Sequence, residues 1–177
     1  MVLTLCLFGF TLLQTIKLED QFQAQTKLEQ ELNQLEATIF LFEHSTSYLS
    51  EQATYYAVTL NIDYFNNYWN EKNIQQSRNI ALERFSAIEF TKDELRFLDE
   101  INANYQKLNF IELHAFSLIT TALSLSESKL PPQLKNYPLS SDERFLSRSD
   151  KLTLANSLLF GLEYANIRDI TAEAVHE

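Results

Sequence analysis

Leu28, Leu32, Leu35, Ile39, Phe42, Thr46, Leu49, Ala53, Tyr56 and Leu60 follow one another at alternating steps of four and three. A period of 3.5 is the seam of a left-handed bundle or coiled coil. It predicts a first helix from near Lys17 to about Leu60, roughly 65 Å long at ~1.5 Å per residue. Ala37–Phe42 is apolar on more than one face. A second apolar face touches more than its own bundle, so Ile39, Phe40 and Phe42 are candidate homodimer contacts; the plainer reading is a wide core stripe.

Asn61-Ile62-Asp63 interrupts the seam, and Asp63 suits the N-cap of a second helix from Tyr64 to about Ile88. Phe65, Tyr68, Trp69, Leu82, Phe85 and Ile88 are its expected inward residues. Thr91-Lys92-Asp93-Glu94 reads as a capping box. It opens a third helix through Leu95, Leu98, Ile101, Tyr105, Leu108, Ala115, Ile119 and Ala122, ending near Ser126. Pro131, Pro132 and Pro138 break the stretch from Lys129 to Arg148, where Ser140-Ser141-Asp142 reads as a turn or a short helix start. Ser149 is expected to cap a last helix through Leu152, Ala155, Leu158, Leu159, Leu162 and Ile167. Gly161 lies inside that pattern and marks a kink or a close contact. No segment alternates with period two, so no strand is expected. The elements predict an all-α chain, an antiparallel up-down-up-down four-helix bundle with long helices.

Met1–Ile16 has no charged side chain. It spans roughly 24 Å, short of the ~30 Å hydrocarbon core. It lacks the basic start and small-residue cleavage site of a secretory signal. The mainly acidic flank after it reads as non-cytoplasmic. The chain therefore divides into a partial transmembrane helix, 1–16, continuous with a bundle over 17–177 whose last helix is incomplete. The alternative for 1–16 is a buried amphipathic helix start. The expected location is the bacterial inner membrane, with the bundle outside.

Charge and composition narrow the chemistry. Fourteen Lys and Arg against 24 Asp and Glu give a net charge of -10, which repels nucleic acid. Two glycines leave no phosphate-cradling loop, and one cysteine leaves no Cys-based zinc site. His44, His114 and His176 share no helical face, and no nucleophile elbow or H-E-x-x-H helix is present. No catalytic residue, no cofactor and no metal is expected. The strongest candidate site is aromatic: Tyr55, Tyr56, Tyr64, Tyr68 and Trp69 flank the Asn61 break, with Tyr137 in the facing connection. Rings with polar tips suit a small-molecule pocket, and Arg78, Arg144 and Arg148 offer charge for a carboxylate. The competing reading is ordinary core packing.

Leu49–Glu71 (LSEQATYYAVTLNIDYFNNYWNE), then Arg78, Ala81-Leu82-Glu83, the Thr91–Glu94 cap, Glu112, Leu130-Pro131, Leu159-Phe160-Gly161 and Glu163-Tyr164 occur in a distinctive order. In that order the chain resembles the extracytoplasmic four-helix-bundle sensor domain of bacterial methyl-accepting chemotaxis proteins. The resemblance runs from about Leu28 to the end. It implies a ligand-sensing, signal-input domain of a transmembrane chemoreceptor, a homodimer that transmits by helix displacement and binds a small molecule. Related domains also sit on histidine kinases and cyclic-dinucleotide enzymes. The turn lacks the small residue usual beside its Asp. No arginine cluster matches the family's amino-acid site, so an amino-acid ligand is not implied. The rival expectation is a structural helical module that binds a protein partner through Ala37–Phe42.

Overall fold

Helix-favouring sequence with few breakers gives an all-helical structure. The computed structural model describes the backbone of residues 2–88 and 90–174, and the side chains of 17–88 and 90–171. The helices are α1 (Val2–Thr59), α2 (Ile62–Asn70), α3 (Ser77–Ser86), α4 (Lys92–Ala122), α5 (Pro132–Lys135), α6 (Ser141–Phe145), α7 (Arg148–Phe160) and α8 (Leu162–Ala174). Among the described residues there is no strand, and no helix is long and apolar enough to cross a membrane. The side chains of the expected membrane segment, 1–16, lie outside the described residues.

The chain forms two units, Met1–Thr38 and Ile39–Glu177. In the first, Leu18, Phe22, Leu28 and Leu32 are exposed on α1. In the second, the expected seam is core from Phe42 through Leu49, Ala53 and Tyr56. α4 packs along α7 and α8, which also pack on each other. Phe116 of α4 is the centre of the aromatic core. Its ring centroid lies 4.5 Å from Tyr68, 5.5 Å from Tyr56, 5.7 Å from Phe65 and 5.9 Å from Trp69. Contacts of this kind add about 0.5–1.5 kcal/mol per pair beyond the area they bury.

The ends of the elements show where local chemistry differs from the expectation. Asn61, not Asp63, is the N-cap of α2: its side chain accepts from the Asp63 N–H at 3.0 Å. Asp63 then falls in the first turn, where its charge suits the helix dipole. The expected helix from Tyr64 to Ile88 is two helices. Between them, Glu71–Gln75 forms a π-type turn closed by the Gln76 N–H on the Glu71 carbonyl at 2.7 Å. Gln76 itself is left-handed, at φ 53°. The capping box at Thr91 and Glu94 forms as its spacing predicts. A second box, Ser140 with Glu143, opens α6. α7 is capped by Ser147 rather than Ser149, with the Asp150 N–H 3.1 Å from the Ser147 hydroxyl. Gly161 separates α7 from α8 in extended backbone, at φ -72° and ψ 156°. A Cβ there would lie 2.6 Å from the Ser157 carbonyl oxygen, so this break requires glycine.

Candidate functional site

The polar centre of the core is Glu112, on α4, with 0% exposure. Its position follows from the helical stripe: Leu108, Glu112, Ala115 and Ile119 share the inward face. Two tyrosines from other helices satisfy the carboxylate. Tyr68 of α2 donates to Oε2 at 2.7 Å, and Tyr164 of α8 donates to Oε1 at 2.9 Å. Burial, then the negative charge of Glu112, holds both phenols well above the ordinary tyrosine range. Glu112 is thus a joint between α2, α4 and α8. A joint of this kind is strong only while fully satisfied.

Two cations complete the cluster. Lys72, in the π-type turn, donates to Asn109 and reaches the Tyr68 hydroxyl at 3.5 Å. Burial pulls its ammonium from 10.5 down to about 8, with Arg78 adding to the shift and Glu112 opposing it. Arg78 of α3 is 3% exposed. Its guanidinium lies 4.6 Å over the Tyr105 ring and donates through Nη2 to the Thr46 carbonyl at 3.5 Å. Its Nε and Nη1 have no hydrogen-bond partner in the protein. A cavity of about 20 Å³ adjoins it, lined by Lys72, Asn79 and Tyr105 among others.

A larger cavity, about 440 Å³, opens between the C-terminal half of α4 and the connection that carries α5 and α6. Ser117, Thr120, Thr121 and Ser124 supply hydroxyls, Leu125, Leu130, Leu134 and Leu139 supply apolar wall, and Lys135 and Arg144 supply positive charge. The connection is tied down from two sides. His114 Nε2 meets Glu143 Oε1 at 2.6 Å, and Lys151 Nζ donates to the Arg144 and Leu146 carbonyls at 2.9 and 2.5 Å. Desolvation pushes the Glu143 carboxyl upward. Hydrogen bonds from the Ser140 backbone and side chain, then from His114, outweigh it and leave a net downward shift.

The expected site residues do not share one cavity. Tyr56, Tyr68 and Trp69 are buried around Phe116, Tyr55 is exposed against Tyr64 at 5.2 Å, and Arg78 lies over Tyr105. Tyr137 and Arg144 do reach the 440 Å³ cavity. Of the expected dimer contacts, Phe42 is not available to a second copy: it is buried edge-on to Phe85 at 6.2 Å. Ile39 is half-buried, and Phe40 is 68% exposed and stacks on His44. Among the described residues no three His, Cys, Asp or Glu side chains gather as a metal site requires; His176 lies outside them. Sequence reasoning missed the hydroxyl-lined cavity and the Glu112 joint. A carboxylate on an apolar helical stripe was the available signal for the joint. No family model, no curated protein and no solved structure matches the chain.

Proposed function

We propose that the chain is the extracytoplasmic ligand-sensing, signal-input domain of a bacterial transmembrane chemoreceptor. In this reading α1, α2 with α3, α4, and α7 with α8 are the four rods of an up-down-up-down bundle. The membrane is reached through the N-terminal apolar segment. The observation that carries the reading is the cavity of about 440 Å³ beneath the α5–α6 connection. Its size lies within the range of small-molecule sites, and it combines a leucine wall with hydroxyls and charged groups of both signs, Lys135, Arg144 and Glu127.

What links input to output is α4. Ser117 and Thr120 line the cavity, and Glu112 on the same helix is bonded to Tyr164 of α8. A ligand that favours one position of α4 thereby favours one position of α8, and only its differential affinity for the two arrangements drives the change. The exposed apolar side chains Leu18, Phe22, Leu28 and Leu32 on α1 suit a parallel homodimer seam.

The test is a ligand screen by thermal unfolding, with the 440 Å³ cavity blocked in a control. Thr121 is exposed and lines that cavity, so Thr121→Trp fills it from the surface. One class of small solute should raise Tm in the native chain and not in Thr121→Trp. A chain that no small solute stabilises, yet which captures a protein through α1, would replace sensing with the partner-binding reading.

A further inference from the structure

We infer that the small cavity beside Arg78 is a binding site for one monatomic anion of chloride size. Arg78 is 3% exposed, and its Nε and Nη1 have no partner in the protein. A buried guanidinium requires acceptors in its own plane. No nearby carboxylate bonds to those two nitrogens. Glu112 takes Tyr68 and Tyr164 on its two oxygens, and Glu71 Oε1 accepts from the Ser77 N–H at 3.0 Å.

The cavity lining is donor-rich at the remaining positions. Lys72 contributes a second cation. Asn79 Oδ1 is taken by the Tyr105 hydroxyl at 3.4 Å, which leaves its amide N–H groups for a guest. Leu49, the Tyr105 ring, Glu71 and Gln76 form the rest of the lining. The volume, about 20 Å³, accommodates a single atom-sized guest. Water fits by size but accepts only two hydrogen bonds, whereas a spherical anion accepts from the Arg78 Nε and Nη1, Lys72 and Asn79 together. Carboxylates, phosphate and sulfate are too large. The site is separate from the ligand cavity under α5 and α6, so its failure leaves the sensing reading untouched.

The experiment compares unfolding midpoints of the full chain in sodium chloride and in sodium gluconate at matched ionic strength. Gluconate is too large for the cavity and reports the general salt effect. The midpoint should rise saturably in chloride alone, by roughly 3–6 °C at ten times Kd. Arg78→Gln should remove that difference. If Arg78→Gln does not fold, Lys72→Gln, at a half-buried position, carries the same test and should weaken the chloride response at least tenfold in apparent Kd. Equal midpoints in the two salts, or a chloride response unchanged in the folded variant, would show that water occupies the cavity and overturn the proposal.

Discussion

Tyr68 and Glu112 stand 44 residues apart in the chain and share a 2.7 Å hydrogen bond at the centre of the core. With Tyr164 on the other oxygen, this bond ties α2 and α8 to one buried carboxylate. Hydrogen bonds to a charged group contribute about 1.5–3 kcal/mol each. Tyr68→Phe and Tyr164→Phe should therefore each destabilise the chain by about that amount in urea unfolding. The double variant should depart from additivity, because both bonds serve one acceptor. Strict additivity would mean that the two tyrosines do not share Glu112.

Lys72 sets a distinctive response to alkaline pH. Its native pKa of about 8 lies below its ordinary value of 10.5, with Glu112, Arg78, Tyr68, Tyr105 and Asn109 around it. Below pH 8 both folded and unfolded states hold the proton. Between the two values the unfolded state holds more protons, so the Lys72 contribution rises with pH. Above about pH 10 the tyrosines reverse the trend. Tyr56, pushed up to about 12, and Tyr68 and Tyr164 keep protons that the unfolded chain releases. Urea midpoints from about pH 7 to 9.5 should climb for the native chain relative to Lys72→Met. Parallel profiles would remove Lys72 from the account.

The α5–α6 connection should loosen in acid. The net downward shift of the Glu143 carboxyl means that its stabilising contribution is present above the ordinary carboxylate range. That contribution is lost as pH falls through the native value. Glu143→Gln should abolish this pH dependence and raise amide exchange across Leu139–Leu146, while α4 stays protected. Unchanged exchange in that segment would show that His114 and Glu143 do not hold it.

Two backbone positions predict opposite responses to side-chain size. Gly161→Ala places a Cβ against the Ser157 carbonyl oxygen and should cost about 1–3 kcal/mol, as overpacking does. Ser124 is exposed and left-handed at φ 52°, which costs a non-glycine residue about 1–2 kcal/mol. Ser124→Gly should raise stability by roughly 0.5–1 kcal/mol after the entropy of glycine is counted. Thermal unfolding of the pair checks both signs.

The sequence exposed those parts of the fold that spacing encodes. The seam from Phe42 to Tyr56 and the Thr91 box follow from period and cap chemistry, whereas Gly161, expected as a kink or close contact inside one last helix, divides it into α7 and α8. The split of the second helix did not follow, because Gln76 takes a left-handed conformation that glutamine does not advertise. Asn61 and Ser147 each cap two residues before the expected positions, since neighbouring Asn, Asp and Ser compete for the same role. The ring-rich segment was visible, yet its packing was not. Tyr56, Tyr68 and Trp69 fill the space around Phe116, and only the three-dimensional arrangement decides between a pocket and a core. The 440 Å³ cavity is built from hydroxyls, charged groups and leucines brought together by a proline-broken connection, which carries no periodic signal.

The central claim is that a small molecule entering beneath α5 and α6 is felt at α8. Amide exchange across α8, with and without the solute that raises Tm, tests it directly. The account predicts increased protection over residues 162–174 in the native chain, and loss of that coupling in Tyr164→Phe while the solute still binds. Protection confined to the cavity walls, with α8 unchanged in both chains, would contradict it.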